Sequence, residues 1–403
     1  MNKQKFIFLG GIFDDEKTLK QIQQNSKGNI QYAADNFQKA LLRGFHYYIN
    51  DNDFELVNLP FIGGFPFNYE KPLFSYVSNG KKNVINNLMF YKNISREKFA
   101  FKRLKDILQK NDKSNFTIFV YSMHSPFLNA VSRLKMSFPS RSIQIVLIIP
   151  DLPEYMNLGK ARGAIFRKLK DIDTKNVYKQ LRYIDFFVTL TNEMAKKIKA
   201  KTYVVVEGIN NCDKLSKNYE NNSKSNNILY TGTIDAKYGV LNLANAFLHL
   251  DTEFKLIIYG AGDSREELSR ISEESSSIEY RGLVSHERIV EEQRKAKFLI
   301  NPRNQNEEYT KYSFPSKIME YMVSGTPVIT SKLLGIPEEY FPYLLTIDAS
   351  NEEQLSSTLK NILDQDYSIL QRVGDSAREF VMQNKNFKVQ VKKILEMINY
   401  DFN

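Results

Sequence analysis

Residues 313–338 read SFPSKIMEYMVSGTPVITSKLLGIPE and follow the apolar run and arginine FLINPR at 298–303. The pattern predicts a short buried strand at 298–301, a polar loop at 302–311 and a helix at 315–323. Ser313 can accept from the orphan N–H groups of the first turn, Pro315 sits where an N–H would have no partner, and Ser324-Gly325 lets the chain leave the helix. A second buried strand follows at 328–330. A helix N-terminus at the carboxyl edge of a parallel sheet binds anions. Ser316 and Lys317 lie in the first turn, and Glu320 shares their face at i, i+4 and i, i+3. One helix then offers a phosphate site at its tip and a carboxylate for hydroxyl groups behind it, which suits a nucleoside diphosphate. The plainer alternative is Glu320 paired with Lys317 on a solvated face.

The 403 residues suit two domains, and 42% apolar and 25% charged residues are the proportions of a globular protein. No run of apolar residues is long enough to span a bilayer, and the opening MNKQKFIFLGGIF is too short and strand-like for a signal peptide, so a cytoplasmic location is expected. The single Cys212 excludes an intramolecular disulfide, and four scattered His give no metal-ligand cluster. Charge is uneven: residues 1–200 hold 32 Lys and Arg against 17 Asp and Glu, and residues 201–403 hold 24 against 29. Much of the excess falls in 155–182, where Ile165, Phe166, Leu169 and Ile172 recur at helical spacing among eight Lys and Arg. That describes a basic amphipathic helix able to meet an anionic membrane surface, or a solvated helix face. No nucleic-acid module accompanies the charge, so nucleic acid is not an expected partner.

The first strand, at 5–9, runs into Gly10-Gly11, which allows either close approach of a ligand or a tight turn. A helix follows at 33–50, a strand at 54–59, a Gly/Pro/aromatic loop, a strand candidate within 83–94 and a basic helix at 96–110. Strands at 116–121 and 143–149 deliver His124 and Asp151 to the edge where α/β sheets place ligands. Each has a structural alternative, His124 as a capping or packing group and Asp151 as a turn former before Pro153. A strand at 185–190 and a helix at 192–200 close this half, and an Asn/Ser/Lys-rich stretch at 210–227 marks a linker. The second half repeats the alternation: strands at 227–231, 254–259, 278–281 and 344–347, helices from 238 and at 286–296, 351–363, 366–382 and 386–399. Lys237 stands at a helix threshold, placed for a phosphate or simply exposed. The alternation predicts two doubly wound parallel sheets facing across a cleft, with domains at 1–206 and 228–383, a linker at 207–227 and a C-terminal helix in 384–403 crossing back to the first domain.

At this point the second half resembles the donor domain of retaining GT-B glycosyltransferases of family 4, in particular the bacterial capsular and exopolysaccharide branch. The resemblance rests on YTGTIDAKYG, LIIYGAGDSREEL, IEYRGLVSHERI, FLINPR and SFPSKIMEYMVSGTPVI, ordered over 228–338. The first half is similar to the acceptor domain more loosely, through Gly10-Gly11, HSP, PDLPEYM and DFFVTLTNEMAKKI.

The resemblance implies a nucleotide-sugar donor, UDP favoured, a saccharide acceptor, retention of anomeric configuration, and neither metal nor cofactor. It assigns Glu320, the second glutamate of the family's E-x7-E motif, to the ribose hydroxyls, Lys237 to the diphosphate, Val284 to the base through its backbone, and Gly10 and Gly11 to the loop under diphosphate and sugar. Ser313, Phe314, Ser316 and Lys317 fall at the diphosphate, with Arg303 a further phosphate contact. Two positions depart from the pattern. Tyr312 stands where the first glutamate belongs, which directs sugar recognition to Glu307, Glu308 or the loop backbone. Pro150 stands at the acceptor-domain histidine, which leaves Asp151 and His124 as catalytic candidates beside Lys237. A polyprenyl-diphosphate-linked acceptor suits the basic first half. A non-catalytic GT-B subunit binding glycan or a partner transferase is the alternative.

Overall fold

The computed structural model describes residues 3–78, 80–89, 91–155, 164–210 and 224–402, with backbone alone for 164–166. The chain divides into two compact units, Met1–Ile209 with Phe387–Asn403, and Asn210–Asn386.

In the first unit the strand QKFIFLG, β1 (Gln4–Gly10), has Phe6 and Phe8 on one face and Ile7 and Leu9 on the other, and all four are buried. Burial on both faces is what a central parallel strand requires. Around it run α1 (Glu16–Asn25), α2 (Tyr32–Tyr48), β2 (Phe54–Asn58), β3 (Leu73–Ser78), β4 (Lys81–Asn86), α3 (Lys92–Lys110), β5 (Asn115–Tyr121), α4 (Ser125–Ser137), β6 (Ile143–Ile149), α5 (Ala164–Gln180), β7 (Phe186–Thr189), α6 (Asn192–Lys197) and β8 (Tyr203–Val205). The sheet is parallel in the order β2-β1-β5-β6-β7-β8. The segment after Gly11, expected as a polar connection, forms α1 because Asp15 accepts from the Thr18 N–H at 2.6 Å and Ile22 turns inward. The strand candidate at 83–94 overlaps only the end of β4 and the start of α3, and β4 pairs antiparallel with β3, a strand the sequence reading did not assign. Of the basic amphipathic stretch at 155–182, residues 156–163 and the side chains of Ile165 and Phe166 lie outside the described residues. The remainder forms α5, with Leu169 and Ile172 exposed.

The second unit holds β9 (Ser225–Thr231), α7 (Val240–Leu248), β10 (Lys255–Tyr259), α8 (Arg265–Glu273), β11 (Ile278–Tyr280), α9 (His286–Lys295), β12 (Ala296–Asn301), α10 (Ser316–Ser324), β13 (Val328–Ser331), β14 (Leu345–Ile347), α11 (Glu352–Leu363) and α12 (Tyr367–Asn384). Its sheet is also parallel, in the order β11-β10-β9-β12-β13-β14. Period-two alternation splits the core in two. Ile228, Ile258, Ile300 and Ile329 pack with α7 and α11, whereas Leu229, Ile257, Leu299 and Val328 pack with α10 and α12. Of the stretch expected as a linker, 211–223 lies outside the described residues, and 225–227 already belong to β9.

The final helix, α13 (Phe387–Met397), belongs to the first unit, where Val391, Ile394 and Leu395 join Leu41 and Phe45 of α2 in one cluster. Close approach depends on Gly44: a Cβ there would stand 2.3 Å from Val391 Cγ2 and 2.8 Å from the Phe387 carbonyl oxygen. Gly44→Leu is therefore expected to cost about 1–3 kcal/mol through overpacking. Urea unfolding measures it, and a midpoint equal to that of the parent chain would contradict the close α2–α13 packing.

Candidate functional site

In the second unit the strand carboxyl ends carry the residues singled out in sequence. Pro315, not Ser313, holds the N-cap position of α10, and no side chain caps the helix. The expected Ser313 cap is corrected: its hydroxyl donates back to the Tyr309 carbonyl at 3.3 Å, inside the 3-10 turn Glu308–Lys311 and its flank. The first-turn N–H groups thus have no side-chain acceptor, with Ser316 exposed beside them, the arrangement that accepts an anion. Phe314 is buried against Tyr340, ring centroids 5.3 Å apart, so its side chain belongs to the core. At the other end Gly325, at φ 77°, closes the helix.

Lys317 and Glu320 form the plainer pairing, Nζ 2.9 Å from both carboxylate oxygens. Glu320 also accepts from Gln293 Nε2 at 2.7 Å, which fixes the carboxylate from α9. Lys237 lies in a 3-10 turn (Ala236–Tyr238) before α7, paired with Asp235 at 3.1 Å. Its ammonium and the Arg303 guanidinium both lie over the Tyr238 ring, 5.0 and 4.9 Å from the centroid, so one aromatic gathers both cations. The Tyr309 hydroxyl, pushed up to about 12 by burial, donates to the Lys237 carbonyl at 2.7 Å. Gly239 makes this possible: at φ 78°, a Cβ would lie 2.0 Å from the Pro302 carbonyl oxygen. Val284 follows Gly282 (φ 67°) on an open turn with Leu283 exposed. Tyr312 donates to Glu308 at 2.8 Å, and Lys311 pairs with the other Glu308 oxygen at 2.6 Å. A carboxylate is thus brought to the position where the sequence puts tyrosine, while Glu307 precedes the turn as its cap residue.

The first unit's edge is differently occupied. Gly10 and Gly11 are buried, and a Cβ on either would collide with Phe8 and Gln38, or with the Leu59 carbonyl and Phe61. The space around them is filled by protein, and neither has positive φ. The following N–H groups are taken as well: Gly11 donates to Gln38, Ile12 to Asn58 and Phe13 to Asp35, at 2.7–2.9 Å. At these three positions the N–H groups are already paired within the protein. Ser122, at φ 76°, holds a strained backbone at the end of β5. His124 sits at the N-cap of α4 without capping it, packed edge-on against Phe61 and Phe127. Burial first, then the cations Arg96 and Lys92, hold its pKa well below the usual imidazole range, so the ring is neutral. Its Nε2 has no hydrogen-bond partner among the described residues. Asp151 stands on the exposed turn after β6, and its dense surroundings raise its carboxyl to about 6. No hydrogen bond links Asp151 to His124 among the described residues.

Several residues that hold these edges have no local signal in sequence. Gln293, Tyr321, Asp35, Gln38 and Asn58 look like ordinary helix or strand residues and reveal themselves only by bonds across 22 to 90 residues. Lys92, inside the expected strand at 83–94, and Arg96, at the start of the expected basic helix, lie one turn apart on α3. Arg96 is buried and donates to the carbonyls of Leu59 and Pro60 at 3.1 and 2.6 Å, and Lys92 donates to the Ile62 carbonyl.

Two expected outcomes follow from these bonds. The Tyr321 hydroxyl, fully enclosed, serves Thr231, so Tyr321→Phe leaves buried groups unmet and lowers stability by about 1–3 kcal/mol, read by urea titration; an unchanged midpoint would refute the tie. Burial, then Arg96, lowers the Lys92 ammonium to about 7. Folding then disfavours its charge, so the penalty is full below pH 7 and relieved as pH rises from 7 toward the unfolded value. The stability of the parent chain relative to Lys92→Met should climb between pH 7 and pH 10, and parallel curves would disprove the depressed ammonium.

Comparison with known proteins places this geometry. Residues 225–365 match the family described as glycosyl transferases group 1. An uncharacterized glycosyltransferase of Methanocaldococcus jannaschii is 22% identical over 312 residues, 76% of this chain and 82% of that protein. Sucrose-phosphate synthase from Thermosynechococcus elongatus superposes with a TM-score of 0.62 at 15% identity, covering 98% of each chain. Anabaena HepE in complex with UDP superposes at 0.55 and 11% identity, covering 98% and 99%. Two all-parallel α/β sheets and these likenesses give the chain the GT-B fold, and with the group 1 match at 225–365 they support a GT-B glycosyltransferase.

Proposed function

We propose that the chain transfers a hexosyl or N-acetylhexosaminyl group from a nucleotide sugar, UDP favoured, to a saccharide acceptor in cell-surface polysaccharide or glycan synthesis. One observation carries the reading: the uncapped N-terminus of α10, with Ser316 and Lys317 at its tip and Glu320 one turn behind. Breaking the anomeric bond builds positive charge on the sugar and negative charge on the departing diphosphate, through an oxocarbenium-like transition state. The helix N-terminus, Lys317, Lys237 and Arg303 would stabilise the leaving phosphates as fixed positive charge, without a metal ion. Their present partners, Glu320 for Lys317 and Asp235 for Lys237, would be exchanged for phosphate, which frees Glu320 for the ribose hydroxyls. The backbone at Val284 would hold the base.

Glu308, fixed by Tyr312 and Lys311, is the carboxylate assigned to the sugar hydroxyls in place of the missing glutamate. The transfer retains anomeric configuration with no covalent enzyme intermediate. Asp151, solvent-open at the sheet edge, is favoured over the packed His124 for acceptor contact. The basic first half, with Leu169 and Ile172 exposed on α5, supports a peripheral position on an anionic inner membrane face and a polyprenyl-diphosphate-linked acceptor. No helix among the described residues is long and apolar enough to cross a membrane.

The Lys317–Glu320 and Lys237–Asp235 pairings also favour a second reading, a non-catalytic subunit whose cations serve structure. Turnover separates the two. Lys237→Ala should lower kcat with a UDP-sugar by about two orders of magnitude or more, the effect of removing one preorganised donor to developing negative charge, while turnover of the parent chain survives EDTA. Normal turnover in Lys237→Ala would remove this lysine from the site, and nucleotide binding without any transfer from a sugar-nucleotide panel would select the subunit.

A further inference from the structure

The hairpin β3–β4 turns one face toward its own unit and leaves the other open. Phe74, Tyr76 and Ser78 point inward and are buried, while Leu73 and Val77, with Val84 across the ladder, point outward at 55%, 43% and 53% exposure. An antiparallel strand with one solvated face ordinarily reads apolar inward and polar outward; here large apolar groups occupy both. The surface continues at the hairpin base. Phe65 donates to the Asn87 carbonyl and Met89 to the Phe65 carbonyl, at 2.9 and 3.1 Å, which joins this loop to the exposed Leu88 and Met89.

The charge around this face is mainly basic: exposed Glu70 adjoins Lys71, and beyond it the segment carries only lysines as charged residues. From Lys71 to Ser95 the sequence has four lysines and no Asp or Glu. Lys71, Lys81 and Lys82 are exposed, with Lys82 directly opposite Val77. Asp14 reaches the hairpin only from the inner side, accepting from Ser78 Oγ at 2.9 Å. A second copy related by a two-fold axis would set these lysines against one another, with no carboxylate in the stretch to offset them. An anionic lipid surface meets both halves of the pattern: the headgroup–acyl boundary takes the apolar side chains and the phosphates take the lysines.

We infer that the outer face of β3–β4 docks on an anionic lipid surface, with Leu73, Val77 and Val84 at the acyl boundary and Lys71 and Lys82 at the phosphates. The inference deepens the membrane contact proposed above by adding an element separate from α5, and it stands apart from the transfer chemistry.

Because the chain has no tryptophan, Val84→Trp in the full chain is a lone reporter. Vesicles of phosphatidylglycerol and phosphatidylcholine in equal parts should shift its emission to the blue, and acyl-brominated lipid should quench it. Pure phosphatidylcholine should do neither to a comparable degree. The triple variant Leu73→Ser, Val77→Ser, Val84→Ser should lose vesicle partitioning at least about tenfold, about 1.4 kcal/mol, with an unchanged unfolding midpoint. Partitioning rather than turnover is read, so a failure of the transferase assignment leaves the result intact. Emission indifferent to anionic vesicles overturns the inference. So does triple-variant partitioning equal to the parent's when Leu169→Ser, Ile172→Ser abolishes binding, which assigns the lipid to α5 alone. A lipid-free blue shift that grows with protein concentration assigns the face to a second copy instead.

Discussion

The second unit's edge depends on one phenol. The Tyr321 hydroxyl accepts from the Thr231 N–H at 2.9 Å, lies 3.0 Å from the Thr231 hydroxyl and donates to the Thr231 carbonyl at 3.0 Å, wholly out of water. Thr231 is the last residue of β9, the strand at the centre of the sheet. Its backbone groups face the end of the ladder, and in the interior they need a partner. By meeting them, Tyr321 fixes the rotation and height of α10 against the strand that leads to Gly232 and onward to Lys237. Gln293 repeats the tie from α9, reaching Thr231 Oγ1 and Glu320, while its carbonyl accepts from Thr326 at the far end of α10. The helix that offers its N-terminus is thereby pinned at its middle and its far end, so an anion would meet a helix already in place rather than ordering one at entropic cost.

Close backbone contact does for the loops what Tyr321 does for the helix. Gly239 lets the loop after β9 rest on Pro302, and Gly335 lets the loop after β13 rest on the carbonyls of Ser313 and Thr310, 2.3 and 2.4 Å from where a Cβ would be. The segment 302–315 is therefore gripped from two sides, although it has only one 3-10 turn of its own. That grip holds Arg303 over Tyr238 and Glu308 beside Tyr312. Loops that carry functional groups on a rigid sheet are usually its most variable parts, and here their order comes from backbone contact at glycine rather than from side-chain packing.

The two parallel sheets, the order of their elements and the helix after FLINPR were legible because their signals are local: apolar runs, a proline at the start of the helix, a glycine at its end. Lys237 and Arg303, both beside strand ends, meet over Tyr238, and Lys317 and Glu320 pair on the helix as their spacing allows. The Ser313 cap was misplaced because a serine before a proline-led helix can bond forward or back, and the 3-10 turn that draws it back to Tyr309 is set by the Gly335 contact, 22 residues on. α1 was missed because its single inward stripe of Thr18, Ile22 and Asn25 is short and mostly polar. β3 was missed beside the Gly/Pro/aromatic loop because its outward residues Leu73 and Val77 are apolar, which hides the alternation. Gln38, Asn58 and Asp35 show nothing in sequence of their common task, which exists only once three elements converge on residues 11–13.

The buried cations of the first unit reassign its acid–base capacity. Arg96 and Lys92 donate to carbonyl oxygens, so their charge is only partly offset by dipoles and is felt by His124. A general acid or base works best with a pKa near the operating pH, and these surroundings drive the imidazole away from it, toward a permanently neutral packing ring. On the adjacent strand the same edge acts oppositely on a carboxylate: the Asp151 carboxyl rises from its ordinary range to about 6. Below that value it is a proton donor and above it an acceptor, within reach of neutral pH from either side. Pro150 stands directly before this carboxylate, on the same edge of the sheet. Acid–base chemistry at this edge would therefore pass to the carboxylate, and the histidine one strand away would keep the wall rigid.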